Sequence, residues 1–378
     1  MPKKHLPTAG QDSAVLFDHL PEKHNNSLSQ QKDDALLHRY CTIDETPDTL
    51  PEKHSFTLAQ RRNNVSLNHS CATNETVFPR SCATNETVFP RCSYIGRFAP
   101  SPTGPLHFGS LITAFASYCE AKSHGGKWLV RIEDTDIPRI YPHSESHILA
   151  CLEAFHFESD APILFQKERL EIYEDVLSQL QQNDLIYACQ CTRKILGSNA
   201  IYSGTCRNLK LPFAHQAIRL KVADQDICFE DPLQGRHCSN LQQDLGDFIL
   251  KRRDGIISYQ LAVVVDDYLQ GVTHVVRGAD LLDNTARQIW LGQCLHYPAL
   301  HYMHLPLAMN SQGQKLSKQN LAQALDIKQA PVLLAQAAQA LQQPTLDLDH
   351  PEIMLKQAVQ QWNRDLIPKQ QHLTGNYQ

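Results

Sequence analysis

The chain has 378 residues, of which 42% are hydrophobic and 20% charged, and its formal net charge is −5. This composition is typical of a soluble globular protein with two or three domains. No apolar run of about 18 residues and no secretory pattern occurs, so we expect neither a membrane span nor export. Twelve cysteines are too sparse for a disulfide scaffold, so we expect reduced thiols, some of them metal ligands, in a cytoplasmic protein.

Residues 1–91 are rich in Asn, Gln, Ser, Thr and His and show no apolar periodicity. The segment Ser70–Arg80 reads SCATNETVFPR, and Ser81–Arg91 repeats it without a change. Two such units are too few to stack into a solenoid with its own core. We therefore expect a low-complexity, disordered extension, with a small accessory domain as the alternative.

From Ser93 onward the pattern becomes that of an α/β catalytic domain, which we place at residues 92–318. A buried strand at 94–99, a Pro/Gly loop at 100–105, a helix at 106–121 and a strand at 127–132 form the opening of a parallel βαβ unit. The other predicted elements are helices near 144–157, 167–183 and 281–295, and strands at 217–222, 248–252, 256–265 and 274–276. We expect an irregular, cysteine-containing insertion at about 185–245 and a short helical segment at 319–378.

The first motif that carries chemistry is RFAPSPTGPLHFGS, which spans Arg97–Ser110. A strand ends, a tight loop follows and a helix begins, so unpaired backbone N–H groups and a positive dipole end face any ligand above the loop. His107 is predicted to lie in the first helical turn, within reach of a phosphate oxygen. An ordinary Pro/Gly loop is the alternative that a lone His-x-Gly would favour.

The second motif is RIEDTD, at residues 131–136, where a predicted strand ends. Ligands bind at the carboxyl ends of strands in open parallel sheets. The carboxylates of Glu133, Asp134 and Asp136 could hold an ammonium group or a metal, and the alternative is a solvated acidic loop.

Two further motifs lie towards the C-terminus. The run YQLAVVVDD at residues 259–267 is predicted to be a buried strand, and a turn and another strand follow it over 271–282. The run KLSKQ at residues 315–319 has the composition of a basic, mobile surface loop.

A fifth pattern places Cys189 and Cys191 upstream of Tyr202 and Cys206. Three thiolates at this spacing could bind zinc in a tetrahedron, with the tyrosine oxygen as an unusual fourth ligand. Free thiols are the alternative that the spacing alone leaves open.

In their order and spacing these motifs resemble the signatures of class I aminoacyl-tRNA synthetases of the glutamyl and glutaminyl branch. RFAPSPTGPLHFGS resembles the HIGH signature, with Ser110 where the family has its last histidine, and KLSKQ resembles the KMSKS signature. The resemblance implies a Rossmann-type catalytic domain in which His107 and Lys318 are catalytic. It implies ATP, with Mg²⁺, at Pro100, His107, Gly109, Ser110, Lys315 and Lys318. It implies L-glutamate at Arg97, Ala99, Ser101, Glu133, Tyr259 and Arg277.

Within that branch, the cysteine pattern, Ser110 and the short C-terminal part are similar to glutamyl-queuosine tRNA(Asp) synthetases. This resemblance implies one Zn²⁺ per chain, bound by Cys189, Cys191, Tyr202 and Cys206. It also implies that activated glutamate is joined to queuosine in the anticodon of tRNA(Asp), by a monomer that does not contact a membrane. The alternatives are a truncated glutamyl-tRNA synthetase that charges tRNA(Glu), and a tRNA-binding paralogue without catalysis.

Because every motif lies downstream of Arg91, residues 1–91 are predicted to be dispensable for catalysis. A chain that begins at residue 92 should melt at the same temperature as the full chain and exchange pyrophosphate into ATP at the same glutamate-dependent rate. Aggregation or loss of most activity in the shorter chain would instead make the extension part of the fold.

Overall fold

The computed structural model describes residues 94–196, 201–310, 313–316 and 323–373, so the predicted disordered extension at 1–91 lies outside the described residues. The helices are α1 Phe108–Ser123, α2 Ser144–Ala154, α3 Leu170–Gln182, α4 Arg193–Leu196, α5 Tyr259–Leu269, α6 Thr285–Cys294, α7 Ala330–Ala340 and α8 Pro351–Gln361. The strands are β1 Ile95–Phe98, β2 Lys127–Ile132, β3 Leu164–Phe165, β4 Ile186–Cys189, β5 Ala217–Leu220, β6 Asp226–Asp231, β7 Gly235–Asn240, β8 Phe248–Lys251, β9 His274–Gly278, β10 His301–Leu305, β11 Leu307–Ala308 and β12 His372–Leu373.

The part of the chain that begins with β1 is built on parallel strands, as the βαβ pattern predicted. β1 pairs in parallel with β2, β2 with β3, and β9 with β10. β1 and β9 lie side by side, because Thr273 N donates to Ile95 O at 2.9 Å and Ile95 N donates to Thr273 Oγ1 at 2.9 Å. Trp128 to Ile132 of β2 are all buried, which explains why the apolar residues of this strand do not alternate with polar ones, and buried Arg131 is the one charged residue among these five.

The C-terminal segment shares its core with this sheet. Helices α7 and α8 pack against α1, and their apolar side chains belong to the same buried cluster as those of α1 and β2. Glu120 of α1 is buried, and it accepts hydrogen bonds from Trp362 Nε1 at 2.6 Å and from Arg364 Nη1 at 3.2 Å. The chain then adds β12, which pairs in parallel with β11. None of the helices in the described ranges combines the length and the apolar character that crossing a bilayer requires.

The insertion at about 185–245 is more regular than its sequence suggested. β4, β5 and β8 form an antiparallel sheet in that order, and β6 and β7 form a hairpin. The apolar side chains of this sheet pack with α3, α5 and α6 in a second core.

The prediction of a strand at 256–265 is wrong, because Tyr259–Leu269 is helix α5. The Ser258 side chain caps the helix by accepting from Leu261 N. From Leu261 to Asp267 every residue is buried, so the helix has no polar face that could have marked its period. In such a run three valines favour a strand reading by propensity alone.

The expectation that all thiols are reduced is also wrong, because Cys228 and Cys238 form a disulfide. The two residues lie opposite each other in the β6–β7 hairpin, with their Cα atoms 4.1 Å apart. The register of the hairpin, which the sequence does not reveal, brings the two thiols together.

The Glu120 contacts predict how the C-terminal segment contributes to stability. Glu120→Ala should lower the free energy of unfolding by about 1–3 kcal/mol, because the half-buried Trp362 indole N–H and the Arg364 guanidinium lose their acceptor. Urea unfolding measures the change, and Glu153→Ala on the exposed face of α2 is the matched control, expected to stay within about 0.5 kcal/mol of wild type. Equal stabilities for the two variants would show that the Glu120 contacts do not hold the segment.

Candidate active site

A cavity of about 400 Å³ lies at the carboxyl ends of β1, β2 and β9. The predicted binding residues that line it are Arg97, Ala99, Pro100, Ser101, His107, Gly109, Ser110, Glu133, Tyr259, Arg277 and Lys315. Lys318 lies outside the described residues. The structure therefore brings together side chains from four motifs that are far apart in the sequence.

The loop between β1 and α1 forms one wall. His107 is the N-cap of α1 and thus precedes the first turn, in which it was predicted to lie. Its Nδ1 accepts from Ser110 N at 3.3 Å, and Ser110 Oγ accepts from His107 N at 3.5 Å. Ser110, which replaces a histidine of the family signature, therefore completes a reciprocal cap that fixes the helix start.

Lys315 and Leu316, the part of the KLSKQ motif that the structure describes, approach this helix start from the other side. A Cβ on Gly109 would lie 3.1 Å from the His107 ring and 3.4 Å from Leu316 O, so a larger residue would press on both. Lys315 Nζ forms an ion pair with Asp280 Oδ2, and both residues line the cavity. Lys315 and Leu316 therefore line the same cavity as the loop that precedes α1.

Arg97 and Glu133, which line the cavity, belong to a buried charge cluster that Asp267 and Arg131 complete behind the cavity wall. Asp267 Oδ1 accepts from Arg97 Nε at 3.1 Å and from Arg131 Nη1 at 2.8 Å, and Asp267 Oδ2 accepts from Arg97 Nη2 at 3.4 Å. Arg131 Nη2 in turn donates to Glu133 Oε1 at 3.3 Å. One carboxylate thus orients both arginines, and one of these arginines orients Glu133.

The electrostatics of the buried charge cluster depend on these pairs. Burial by itself would raise the pKa of Asp267, but the positive charges of Arg97 and Arg131 outweigh burial and hold that pKa below its ordinary value. For Glu133 the balance is reversed, because burial raises its pKa more than Arg131 and Arg97 lower it.

The three carboxylates of RIEDTD do not converge on one point. Glu133 faces Arg131 and the cavity, whereas buried Asp134 accepts from Lys167 N at 2.7 Å. Asp136 forms an ion pair with Arg252 at 3.1 Å. The proposed metal use of this triplet is therefore not supported, and only Glu133 reaches the ligand space.

Arg277 and Tyr259 form the opposite wall. Arg277 is buried, and its guanidinium donates to Gln288 Oε1 and Thr285 Oγ1, both at 2.7 Å, and to His304 Nε2 at 3.0 Å. The Tyr259 oxygen lies 3.5 Å from Arg277 Nη1. Within the described residues none of the recorded ion pairs includes Arg277, so its charge faces the cavity with neutral partners.

The cysteine pattern forms a separate cluster. The sulfur atoms of Cys189, Cys191 and Cys206 lie within 4.8 Å of one another. The Tyr202 oxygen lies 3.4 Å from Cys189 Sγ and 3.6 Å from Cys191 Sγ. The Arg219 guanidinium carbon lies 3.9 Å from the centre of the Tyr202 ring and holds the ring in place. None of these residues lines the cavity.

Several residues of the site had no predicted role. Asp267 is the last residue of the YQLAVVVDD run, but its position at the centre of the buried charge cluster was not predicted. Arg139, Thr113 and Asp280 also line the cavity. The signal that could have revealed Asp267 is the presence of two adjacent acidic residues in an apolar run. Buried carboxylates are almost always paired, so such residues predict cationic partners nearby.

Comparison with known proteins agrees with this geometry. The family described as "tRNA synthetases class I (E and Q), catalytic domain" matches residues 95–332. A glutamyl-Q tRNA(Asp) synthetase of Acinetobacter baylyi is 72% identical over 285 residues, which cover 75% of this chain and 98% of that protein. A protein of the same name from Neisseria meningitidis serogroup C is 50% identical over 288 residues, which cover 73% of this chain and 98% of that protein.

The chain belongs to the glutamyl-Q tRNA(Asp) synthetase family. This confirms the class I synthetase resemblance that the motifs indicated, together with its α/β catalytic domain. Among solved structures, glutamate-tRNA synthetase from Elizabethkingia anophelis is similar with a TM-score of 0.63 and 26% identity, over 74% of this chain and 67% of that one.

The buried charge cluster predicts a large effect of one substitution. Asp267→Asn should destabilise the protein by about 3–5 kcal/mol at neutral pH, because Arg97 and Arg131 keep buried charges without a compensating carboxylate. The folded pKa of Asp267 is lowered, so its contribution is present above the unfolded pKa and is lost as the pH falls through the folded pKa. The stability difference from wild type should therefore shrink in acid.

Urea unfolding over a pH series measures this difference. Asp283→Asn, which removes an acidic charge from the segment before α6, is the control and should leave stability nearly unchanged. A pH-independent difference between wild type and Asp267→Asn would contradict the assigned charge state.

Proposed function

We propose that this chain uses ATP to activate L-glutamate and transfers the glutamyl group to queuosine in the anticodon of tRNA(Asp). One observation carries the proposal: the residues predicted to bind glutamate and ATP, where they fall in the described ranges, line a single cavity. The names of relatives at 72% and 50% identity support the acceptor.

Glutamate is recognised in this proposal by charge at both ends of the cavity. Arg277 has neutral partners in the described structure, so a substrate carboxylate supplies the negative charge that it lacks. Arg97, oriented by Asp267, pairs with the other carboxylate, and Glu133 accepts the α-ammonium group. Glutamine would leave a buried guanidinium without a counter-charge, which accounts for selection against the amide. Ala99, Ser101 and Tyr259 complete the walls.

ATP occupies the other half of the cavity, above the start of α1. The helix N-terminus attracts the triphosphate, and Gly109 lets it approach the backbone closely. His107, Pro100 and Ser110 line this part, and Lys315 and Lys318 stabilise the charge that grows on pyrophosphate as it leaves. Mg²⁺ bound with ATP neutralises part of the triphosphate charge.

The reaction then needs positioning more than covalent help from the protein. An oxygen of the glutamate α-carboxylate attacks the α-phosphorus of ATP, and pyrophosphate leaves with the electrons of the broken P–O bond. A queuosine hydroxyl next attacks the carbonyl carbon of glutamyl-adenylate. The queuosine hydroxyl loses its proton, and AMP leaves.

The cysteine cluster fits a structural zinc ion. A tetrahedral site with Zn–S bonds of about 2.3 Å places its sulfurs about 3.8 Å apart. Cys191 Sγ and Cys206 Sγ lie 3.5 Å apart, and the Tyr202 oxygen completes the set of four donors. Zinc bound there would tie the end of β4 to the loop that precedes β5.

We further propose that residues 92–318 form the catalytic domain, that 185–245 is its zinc-bearing insertion, and that 319–378 is a short helical C-terminal segment. The protein would act as a monomer in the cytoplasm.

The function is tested by two assays on the full chain. Glutamate-dependent exchange of pyrophosphate into ATP tests activation, and labelled glutamate should then enter tRNA(Asp) that carries queuosine, at the base. Lys318→Ala should slow exchange by orders of magnitude without lowering the melting temperature.

Matched acceptors decide between the alternatives. tRNA(Asp) that lacks queuosine should accept nothing, and tRNA(Glu) should not be charged at its acceptor end. Charging of tRNA(Glu) would identify a truncated glutamyl-tRNA synthetase, and absence of exchange would identify a non-catalytic tRNA-binding paralogue.

Purified protein should contain about one zinc per chain, measured by elemental analysis. Cys189→Ser combined with Cys206→Ser should remove the metal, because a site with two of its thiolates removed binds zinc weakly. Cys294→Ser, which alters a free thiol in another element, is the control and should retain the metal. Full zinc retention in the double variant would refute this site.

A further inference from the structure

Arg277 is held by a buried chain of hydrogen bonds that begins outside the cavity. Asp231 Oδ2 lies 2.7 Å from His304 Nδ1, and His304 Nε2 lies 3.0 Å from Arg277 Nε. His304 is fully buried and Asp231 is 4% exposed. Neither residue lines the cavity, and neither belonged to a motif with an assigned role.

The contacts determine where the His304 proton lies. Arg277 Nε can only donate, and the Thr285 hydroxyl also lies 3.1 Å from His304 Nε2. Nε2 must therefore be an acceptor without a hydrogen, and the ring proton is on Nδ1, which donates to Asp231. Burial lowers the pKa of His304, with Asp231 opposing the change and Arg277 and His237 favouring it, so the ring stays neutral.

Asp231 reaches His304 from the insertion. It ends strand β6, and its Oδ1 accepts from Leu233 N at 2.9 Å and from Gln234 N at 3.0 Å. Its Oδ2 also accepts from His304 N at 2.9 Å, and Gln234 Nε2 donates to His304 O at 3.0 Å. The turn of the β6–β7 hairpin is thus fastened to β10, beside the strand that carries Arg277.

We propose that Asp231 and His304 are positioning residues that orient the Arg277 guanidinium and thereby set the affinity for glutamate. Asp231 fixes the tautomer of His304, and that tautomer presents an acceptor to Arg277. The inference rests on the role proposed for Arg277 as the partner of a substrate carboxylate. It assigns to the β6–β7 hairpin a part in building the amino-acid pocket.

Asp231→Asn tests this arrangement directly. The amide NH₂ meets N–H donors in either orientation. On the His304 side it favours the other ring tautomer, which turns an N–H towards Arg277 Nε, and on the turn side it faces Leu233 N and Gln234 N and loosens the turn that holds Asp231. The glutamate Kd, measured by calorimetry on the full chain, should rise about 10-fold to 100-fold, as for the loss of a hydrogen bond to a charged group. The ATP Kd should stay within about twofold, because Asp231 acts on the glutamate half.

Glu230→Gln is the matched control. It makes the same charge change one residue away, at a side chain whose recorded ion pair, with Arg236 at 3.7 Å, is exposed. The control should bind glutamate as wild type does. A glutamate Kd for Asp231→Asn that equals the Glu230→Gln value would overturn the inference.

Two His304 variants separate positioning from packing. His304→Gln keeps an oxygen that can accept from Arg277, whereas His304→Phe keeps the ring volume without an acceptor. The Gln variant should retain more glutamate affinity than the Phe variant at equal melting temperature. Equal glutamate affinities for the two, or equal losses for glutamate and ATP, would show a merely structural role and overturn the inference.

The protonation pattern of the His304 ring nitrogens can be measured, and it would not change if Asp231 had only a structural role. In ¹⁵N-histidine spectra the signal that disappears in His304→Gln should have the Nδ1-protonated pattern in wild type and the Nε2-protonated pattern in Asp231→Asn. An unchanged pattern together with an unchanged glutamate Kd would contradict the inference. If wild type binds glutamate but does not exchange pyrophosphate into ATP, the proposed function is refuted. The glutamate Kd values of the Asp231 and His304 variants then still test the positioning role. Wild type that does not bind glutamate would overturn both.

Discussion

The carboxylate of Asp267 is the constraint on which the ligand cavity depends. It lies in the last turn of α5, at the negative end of the helix dipole, where a buried anion is unfavourable without strong cationic partners. Arg97 from β1 and Arg131 from β2 supply those partners. The same contacts therefore stabilise the helix end and fix the positions of Arg97, which lines the cavity, and Arg131, which holds Glu133.

Asp266, the residue before Asp267, is a second carboxylate that holds α5 by contacts with other elements, on the other side of the helix. Asp266 Oδ2 accepts from Tyr173 OH at 2.6 Å and from Gln166 Nε2 at 2.8 Å, and Asp266 Oδ1 accepts from Arg169 Nε at 2.8 Å. Asp267 thus joins α5 to the parallel sheet, while Asp266 joins it to α3 and to the segment that leads into α3. Because the two carboxylates are adjacent, a shift of α5 cannot relax one set of contacts without disturbing the other.

The parts of the fold that could be predicted are those in which local sequence and structure agree. β1, α1 and β2 follow from a buried strand, a Pro/Gly loop and a periodic helix. The residues that line the cavity come from motifs whose family resemblance predicted that they share one site. Helix α5 was missed because complete burial removes the polar face that reveals a helical period. The Cys228–Cys238 disulfide depends on hairpin register, and the contact of Asp231 with His304 joins residues 73 positions apart. Such pairings depend on the tertiary fold rather than on local pattern.

The short strand β12 has a practical consequence for work with this protein. Leu373 pairs with Ala308, and Leu307 and Ala308 both line the ligand cavity. A purification tag or fluorescent protein fused just after Leu373 would begin one strand away from the cavity wall, on the side from which the chain runs to Lys315. A bulky fusion at that point would therefore add its volume close to the cavity wall.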